Sequence, residues 1–221
     1  DDFCGVASQL TNVTLFAGNT YFVVVDGFAG ACGNYRLKLD LAGPACNILF
    51  PLDATPEPEV ISSDGYVDQA NAGCNSEPPT WTDVPCSLTP ITLSGHYGNF
   101  ITAATNFRDT DWYRIVANQP TTVSATLNSE VDGVIAILDL LGGCSNVVTL
   151  GPTSGPSLSV PPCTPVTCTA TLPAGAYFIF VAPAAFAGTP GSARYTLTVT
   201  GSSCTTIGKP RTWSSVKAMY R

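Results

Sequence analysis

One stretch of the sequence occurs twice, and this repeat constrains the fold more than any other feature. Residues 15–46 match residues 172–204 in order, with about ten identities and small gaps, which indicates a duplicated module. The matched positions are Leu15 and Leu172, Ala17-Gly18 and Ala174-Gly175, Tyr21-Phe22 and Tyr177-Phe178, Val25 and Val181, Phe28-Ala29-Gly30 and Phe186-Ala187-Gly188, Tyr35-x-Leu37 and Tyr195-x-Leu197, and Cys46 and Cys204. Strand-like sequence precedes only the second copy. We therefore expect residues 1–45 to be the C-terminal half of a module, and residues 46–204 to be an acidic, proline-rich linker followed by a complete module.

Apolar patterning predicts strands along nearly the whole chain. Residues 34–41 and 195–200 alternate apolar and polar side chains, as a strand with one buried face does. Residues 20–26 and 177–182 are continuous apolar runs, typical of central sandwich strands. Further strands are expected at 91–94, 100–105, 112–117, 121–127 and 134–138. Lysine and methionine are rare and charged residues make up only 11% of the chain, so we predict an all-β protein.

The nine cysteines predict disulfides and an oxidising compartment. Their spacing does not resemble that of a zinc site, and an odd count leaves one thiol free or bonded to another chain. Cys74 with Cys86 is the best local pair, Cys4 with Cys32 would close the half-module, and Cys144 would pair with Cys163 or Cys168. Cys46 and Cys204 end the two repeat copies, so we expect them to pair with each other or across chains.

Charge is low and unevenly distributed, with a net value of −7. Residues 205–221 carry four basic side chains and no acid, whereas residues 39–107 contain no lysine or arginine. A nucleic-acid-binding protein would show a basic stripe instead, so we expect no nucleic-acid partner. The longest apolar run, residues 176–187, is shorter than the ~18–20 residues that cross a bilayer. We expect no membrane span and an extracellular or cell-surface location. The chain opens at Asp1-Asp2-Phe3, as a mature or truncated sequence would.

Four motifs follow one another along the second part of the chain: Asp109-Thr110-Asp111-Trp112-Tyr113-Arg114, Thr121-Thr122-Val123-Ser124-Ala125-Thr126-Leu127, Leu172-Pro173-Ala174-Gly175-Ala176-Tyr177-Phe178-Ile179-Phe180-Val181, and Tyr195-Thr196-Leu197-Thr198-Val199. In this order they resemble the bacterial pre-peptidase C-terminal (PPC) domain. Residues 1–35 resemble the second half of another such domain. The resemblance covers most of the chain except residues 46–66 and the tail, and it implies jelly-roll-like β-sandwiches. It also implies a non-catalytic appendage of a secreted bacterial protein, and some relatives bind calcium, collagen or polysaccharide.

The sequence offers few groups that could perform chemistry. The single histidine, His96, lies in a turn-like stretch, so a serine or cysteine nucleophile has no evident base. Paired carboxylates could come from Asp109 and Asp111 or from Asp132 and Asp139. However, Asp109 and Asp111 stand at the start of a strand, where Asp side chains bond to turn amides, and Asp132-Gly133 is typical of a turn. We therefore expect no enzyme activity and no cofactor. A calcium site is conceivable from clustered acids, namely Asp53, Glu57, Glu59, Asp64 and Asp68. Asn12 begins an N-glycosylation sequon.

The C-terminal tail, residues 205–221, can form a short helix. Trp213, Val216 and Tyr220 fall on one helical face, and such a helix needs something to pack against, either its own domain or a neighbouring subunit.

The half-module is the main functional clue, because half a sandwich leaves apolar faces and strand edges open to association. We predict a secreted, non-catalytic structural subunit of a bacterial extracellular fibre or surface assembly that forms a homopolymer. The predicted subunit contacts are Phe22, Val23, Val25, Tyr35, Leu37, Leu39, Trp213, Val216 and Tyr220. The alternative is an accessory module of a secreted hydrolase that binds polysaccharide or a matrix protein through an aromatic platform of Trp81, Tyr97 and Tyr66.

Overall fold

A computed structural model describes residues 46–87 and 89–201, together with residues 13, 15, 20–25, 34 and 36–38. The chain divides into two compact units, Asp1–Gly43 and Pro44–Arg221. Predictions on Cys4, Asn12, Cys32, Tyr35, Leu39, Cys204 and the tail residues Trp213, Val216 and Tyr220 lie outside the described residues. No helix in the described ranges is long and apolar enough to cross a membrane.

The second unit is a β-sandwich, which confirms the prediction of an all-β, jelly-roll-like fold. Its strands are β1 (Thr55–Pro56), β2 (Thr82–Asp83), β3 (Ile91–Tyr97), β4 (Asn99–Thr102), β5 (Thr105–Arg108), β6 (Asp111–Ala117), β7 (Thr121–Ser129), β8 (Gly133–Asp139), β9 (Val148–Gly151), β10 (Leu158–Val160), β11 (Val166–Leu172), β12 (Gly175–Pro183) and β13 (Ala193–Thr200). One sheet has the order β1-β3-β13-β7-β11, and the other has the order β10-β8-β12-β6-β2 with β9 also on β8. β4 and β5 form a separate hairpin. A short 3-10 helix, Cys144–Asn146, follows β8.

The second repeat copy supplies the central strand of each sheet. β12 lies between β6 and β8, with Ile179 opposite Tyr113 on one side and Ile137 on the other. β13 lies between β3 and β7, with Leu197 opposite Leu93 and Leu127. Both strands are antiparallel to their neighbours, whereas the two-residue strands β1 and β2 pair in parallel with β3 and β6.

The core explains why the strands differ in pattern. Alternate residues of β7 and β13 enter the space between the sheets, where Leu127, Tyr195 and Leu197 are fully buried. β12 is buried on both faces: Ile179 faces the inter-sheet core, and Phe178 joins a second apolar cluster around Trp112. A strand covered on both faces needs a continuous apolar run, which is the pattern that the sequence shows there.

Paired hydroxyls account for the high threonine content and low charge of the five-stranded sheet's outer face. Side-chain hydroxyls meet across neighbouring strands at 2.8–3.2 Å, in the pairs Thr126–Thr167, Ser124–Thr169, Thr122–Thr171 and Thr92–Thr198. Such cross-strand pairs stabilise a sheet without ionised groups. β11, which supplies one hydroxyl to three of these four pairs, was not predicted, because its buried residues include the small Cys168 and Ala170.

The single strand predicted at residues 100–105 is instead the end of β4, a turn and the start of β5. Ala103 and Ala104 both have positive φ, 50° and 61°, and turn the chain between β4 and β5. Two consecutive positive-φ residues are characteristic of tight hairpin turns, and alanine gives no sequence signal for one.

The disulfides correct most of the predicted pairings. Cys46 bonds to Cys163 and Cys74 bonds to Cys144. Residues 82–83 pair in parallel with β6 and carry the chain away from Cys74, so Cys86 is not the partner of Cys74. Cys86 is also disulfide-bonded.

Two further cysteine predictions are wrong. Cys168, proposed as a disulfide cysteine, is a free thiol that faces the core from β11. Cys46, proposed to bond across modules or chains, instead bonds within the second unit. Its partner Cys163 is held at the end of β7 by a hydrogen bond from its N–H to the carbonyl of Ser129.

Candidate functional site

Five carboxylates converge at one end of the sandwich. Glu57 and Glu59 follow β1, Asp68 comes from the next loop, and Asp109 and Asp111 stand at the start of β6. Ligand oxygens of Glu57, Glu59 and Asp111 lie within 4.8 Å of one another, as do those of Glu59, Asp68 and Asp109. The carboxylate of Glu59 is therefore shared by two adjacent groups of three, and we call the five residues the carboxylate cluster.

Backbone pairing places both acidic segments. The Glu57 N–H donates to the carbonyl of Ser94 at 2.9 Å and continues the β1–β3 pairing. The Asp109 N–H donates to the carbonyl of Gly98, also at 2.9 Å. Acids two residues apart on an extended chain point to the same side, so Glu57 with Glu59 and Asp109 with Asp111 present two pairs of carboxylates.

Part of the cluster is held by neutral donors. Glu57 accepts bonds from the Tyr195 hydroxyl at 2.9 Å and from the His96 N–H. Asn71 donates its amide to Asp111 at 2.8 Å, and the Tyr66 hydroxyl donates to Glu59 at 3.1 Å. These donors orient the carboxylates but bring no full positive charge.

The remaining oxygens are buried without a partner among the described residues. They are Oε2 of Glu59, both carboxylate oxygens of Asp109 and Oδ2 of Asp111. Asp109 is 1% exposed and Asp111 is fully buried. The Ser62 hydroxyl lies close enough to Asp109 to lower its pKa, although the two groups are not in hydrogen-bonding geometry. Buried carboxylate oxygens in this state are costly, because a carboxylate removed from water needs a compensating donor or cation.

The cost of burying these carboxylates appears as raised pKa values for Glu59, Asp109 and Asp111. Burial, and then repulsion from the neighbouring carboxylates, raise the pKa of Glu59 to about 10. Burial raises the pKa of Asp109 to about 7, although the Ser62 hydroxyl lowers it, and repulsion from Asp68 adds to the rise. Burial followed by repulsion from Glu57 puts the pKa of Asp111 well above its ordinary value. Without a cation, the cluster would retain protons near neutral pH.

The donor set fits a hard divalent cation. Ca²⁺ takes six to eight oxygen ligands and prefers carboxylates, and it would supply the positive charge that the unpartnered oxygens lack. Glu57, Glu59 and Asp111 would hold one ion, and Glu59, Asp68 and Asp109 an adjacent one. In such a site the ion is structural: it would fasten the segment after β1 to the start of β6.

Sequence reasoning found three of the five residues. Glu57, Glu59 and Asp68 belonged to the predicted calcium set, whereas Asp53 is exposed and Asp64 instead accepts the N–H of Ile101. The interpretation of Asp109 and Asp111 as turn-capping residues is wrong, because their carboxylates point into the cluster. The usable signal was the spacing: Glu-x-Glu and Asp-x-Asp each put two carboxylates on one side of an extended segment.

The other predicted groups are dispersed. His96 is half-buried, packs edge-on against Phe50 with ring centroids 5.3 Å apart, and lies 3.8 Å from Glu57. Asp139 accepts the N–H of Leu141 at 2.8 Å, while Asp132 is exposed.

The predicted aromatic platform does not form. Tyr97 is fully buried in the core, where its hydroxyl donates to Ser129. Tyr66 is turned toward Glu59, and Trp81 is half-exposed on another part of the surface beside Phe178.

The first unit exposes an apolar segment, residues 20–25. Phe22 is 88% exposed and Val24 85%, whereas Val23 and Val25 are 55% and 46% exposed. Exposure therefore alternates along the segment as it would along a strand, yet the structure assigns no strand to residues 20–25. Leu37 of the same unit is 49% exposed.

The chain was compared with known families, curated proteins and solved structures. No family model and no curated protein matches it. Among solved structures, Aeromonas hydrophila PliG, a periplasmic inhibitor of g-type lysozyme, is 16% identical with a TM-score of 0.40, over 55% of this chain and 96% of that one. The pre-peptidase C-terminal domain of a Bacillus anthracis collagenase is 15% identical with a TM-score of 0.33, over 53% and 92%. A Bacillus subtilis family 43 arabinoxylan arabinofuranohydrolase is 14% identical with a TM-score of 0.28, over 56% and 28%. The likeness concerns the β-sandwich alone.

Proposed function

We propose that this chain is a secreted, non-catalytic structural subunit of a bacterial extracellular fibre or surface assembly, and that it self-associates through its first unit. In this proposal the chain carries one complete PPC-like domain and the C-terminal half of another. The disulfides Cys46–Cys163 and Cys74–Cys144 support an oxidising compartment, in which such an assembly would form.

One observation carries the proposal: equivalent residues of the two repeat copies differ sharply in burial. Phe22 is 88% exposed, whereas its equivalent Phe178 is 5% exposed. Leu37 is 49% exposed, whereas its equivalent Leu197 is fully buried. The first copy therefore has the sequence of central strands but lacks the cover that such strands have in the complete sandwich. A contiguous exposed apolar surface of this kind is typical of an interaction site.

The complete sandwich shows what kind of cover is missing. β12 has a hydrogen-bonded strand on each edge and an apolar cluster on each face. Residues 20–25 have the same side-chain chemistry, so association with another chain would remove Phe22 and Val24 from water. Burying apolar area is the main driving force for association of this kind.

The carboxylate cluster supports a structural cofactor in the same proposal. Calcium bound there would hold the segment after β1 on the sandwich. It would thereby strengthen a subunit whose role is mechanical rather than catalytic. The rival function, an accessory carbohydrate- or protein-binding module, loses the aromatic platform on which it was predicted.

Light scattering and negative-stain microscopy of the purified chain test the proposal. We expect wild-type protein to form particles much heavier than 23.0 kDa, and the double variant Phe22→Ser, Val24→Ser to remain monomeric. Leu52→Ser is the matched control, because Leu52 is an equally exposed apolar residue of the second unit and its loss should leave assembly intact. A wild-type chain that stays monomeric at all concentrations overturns the proposal.

A further inference from the structure

A cavity of about 310 Å³ opens on the outer face of the six-stranded sheet. Trp81 and Phe178 line it, with Pro79, Leu140 and Ala176 around them. The Cys74–Cys144 disulfide joins its two bordering loops, since Cys74 precedes Pro79 and Cys144 follows the glycines at 142 and 143. The cavity is therefore built from covalently linked loops over a sheet.

Neighbouring side chains hold Trp81, the aromatic wall of the cavity, in place. Trp81 packs edge-on against Phe178 with ring centroids 5.1 Å apart. The Arg114 guanidinium lies 5.5 Å from the Trp81 ring and is itself fixed by two hydrogen bonds to Asp83. A half-exposed indole supported in this way can accept a further apolar group without rearranging.

The lining favours an apolar occupant. Eight of the nine lining residues are apolar or glycine, and the exception is Asp139, one oxygen of which already accepts the N–H of Leu141. A sugar ring carries hydroxyls on its edge, and among the lining side chains only the second oxygen of Asp139 and the indole N–H of Trp81 could bond to them. An apolar side chain has no such requirement.

We infer that this cavity receives Phe22 from a second copy of the chain. The inference rests on the proposed function and names the contact that it requires. Phe22 is the repeat equivalent of Phe178, which packs against Trp81, so both rings suit the same indole. Phe22 is 88% exposed, and the cavity is large enough for a phenyl ring. The segment Tyr21–Val25 that carries Phe22 is uncharged, so it suits the apolar lining.

The donor and the acceptor are different surfaces, and this has a consequence for assembly. Phe22 belongs to the first unit and the cavity to the second. A contact between unlike surfaces is heterologous, so each copy that accepts a phenylalanine still offers its own, and the contact propagates into an open chain of subunits.

Gly143 allows the cavity to be filled without disturbing the fold. Its φ is 167°, an extended conformation that any residue adopts, and a Cβ there would meet no atom within 4 Å. Gly143→Leu should therefore fill the acceptor, and Trp81→Ala should remove its wall. Ala184→Leu, which adds the same side chain at an exposed position elsewhere, is the control.

Sedimentation velocity of single variants and of mixtures gives the test, with thermal melts to confirm folding. We expect Gly143→Leu and Trp81→Ala to weaken association at least about tenfold and Ala184→Leu to leave it unchanged. A mixture of Phe22→Ser, which retains the acceptor, with Gly143→Leu, which retains the donor, should form one-to-one dimers and nothing larger.

The outcomes separate this inference from the proposed function. If Phe22→Ser abolishes assembly but both cavity variants assemble like wild type, the cavity is not the acceptor and the proposed function stands. If wild type never assembles, the proposed function fails as well. If wild type instead binds soluble xylan or insoluble cellulose and Gly143→Leu does not, the cavity is a saccharide site and the inference is wrong.

Discussion

Replacing Asp109 with asparagine should affect stability in opposite directions with and without calcium. Both oxygens of Asp109 are buried and unpartnered, so the ionised side chain destabilises the metal-free fold. Asparagine removes the charge but also removes a ligand. We expect Asp109→Asn to melt higher than wild type in EDTA at pH 8 and to lose the stabilisation contributed by the ion that Glu59, Asp68 and Asp109 would hold.

The size of both effects can be worked out. A rise in the pKa of Asp109 from 3.8 to about 7 corresponds to roughly 4 kcal/mol as an upper limit, of which asparagine recovers part because it buries an amide. Calcium at one hundred times its dissociation constant stabilises by about 2.7 kcal/mol per site. For a domain of this size that corresponds to about 5–11 °C in Tm.

The raised pKa values determine whether stability rises or falls with pH. A carboxylate whose pKa is raised on folding holds its proton in the folded state after the unfolded chain has lost it. Stability without metal therefore falls as pH rises from about 4, where unfolded carboxylates ionise, through about 7 for Asp109 and toward about 10 for Glu59. The Tm difference between Asp109→Asn and wild type should be small at pH 4 and largest above pH 7.

Differential scanning fluorimetry at pH 4, 6 and 8, with EDTA or with calcium, measures these shifts. Asp53→Asn is the matched control, because Asp53 is an exposed acid of the same segment outside the cluster. If Asp109→Asn lowers the Tm equally at every pH, the charge argument is wrong. If calcium stabilises that variant as much as wild type, Asp109 is not a calcium ligand.

Three further outcomes follow from the core. Leu197→Ala removes a fully buried side chain at the centre of the five-stranded sheet and should cost about 2–5 kcal/mol by urea denaturation. Gly191→Ala would place a Cβ against the carbonyl oxygen of Ser62, so it should lower the Tm, whereas alanine at Gly143 should not. Cys168 is buried and burial raises its pKa, so a thiol reagent should modify it only after the protein is unfolded.

The sequence predicted the strands with strong apolar patterns and missed those without. β12 and β13 have large apolar residues at most of their buried positions, and their repeat equivalents made them easy to recognise. β9 and β10 are only four and three residues long and lie among glycines and prolines. Short edge strands of this kind are set by the neighbour they pair with, here β8, rather than by their own propensity.

The carboxylate cluster and the disulfides were predicted less well because both depend on distant parts of the chain. Glu57 meets Asp111 only because β1 pairs with β3 and β6 begins at the same end of the sandwich. Likewise Cys74 and Cys144 are 70 residues apart, and a nearest-neighbour argument favours Cys86 over the correct partner. Composition indicated that acids and disulfides would occur, but the topology decides which residues meet.

The Cys46–Cys163 disulfide also determines how the sandwich would respond to stretching. The bond joins residues 117 positions apart, so a pull that enters at Cys46 passes to Cys163 and does not load the strands between them. About 400 Å of extended chain is thereby withheld from unravelling. Within the described part of the chain, β11, β12 and β13 are the strands that follow Cys163 and lie outside this loop. Under tension, this disulfide therefore limits how far such a subunit can lengthen.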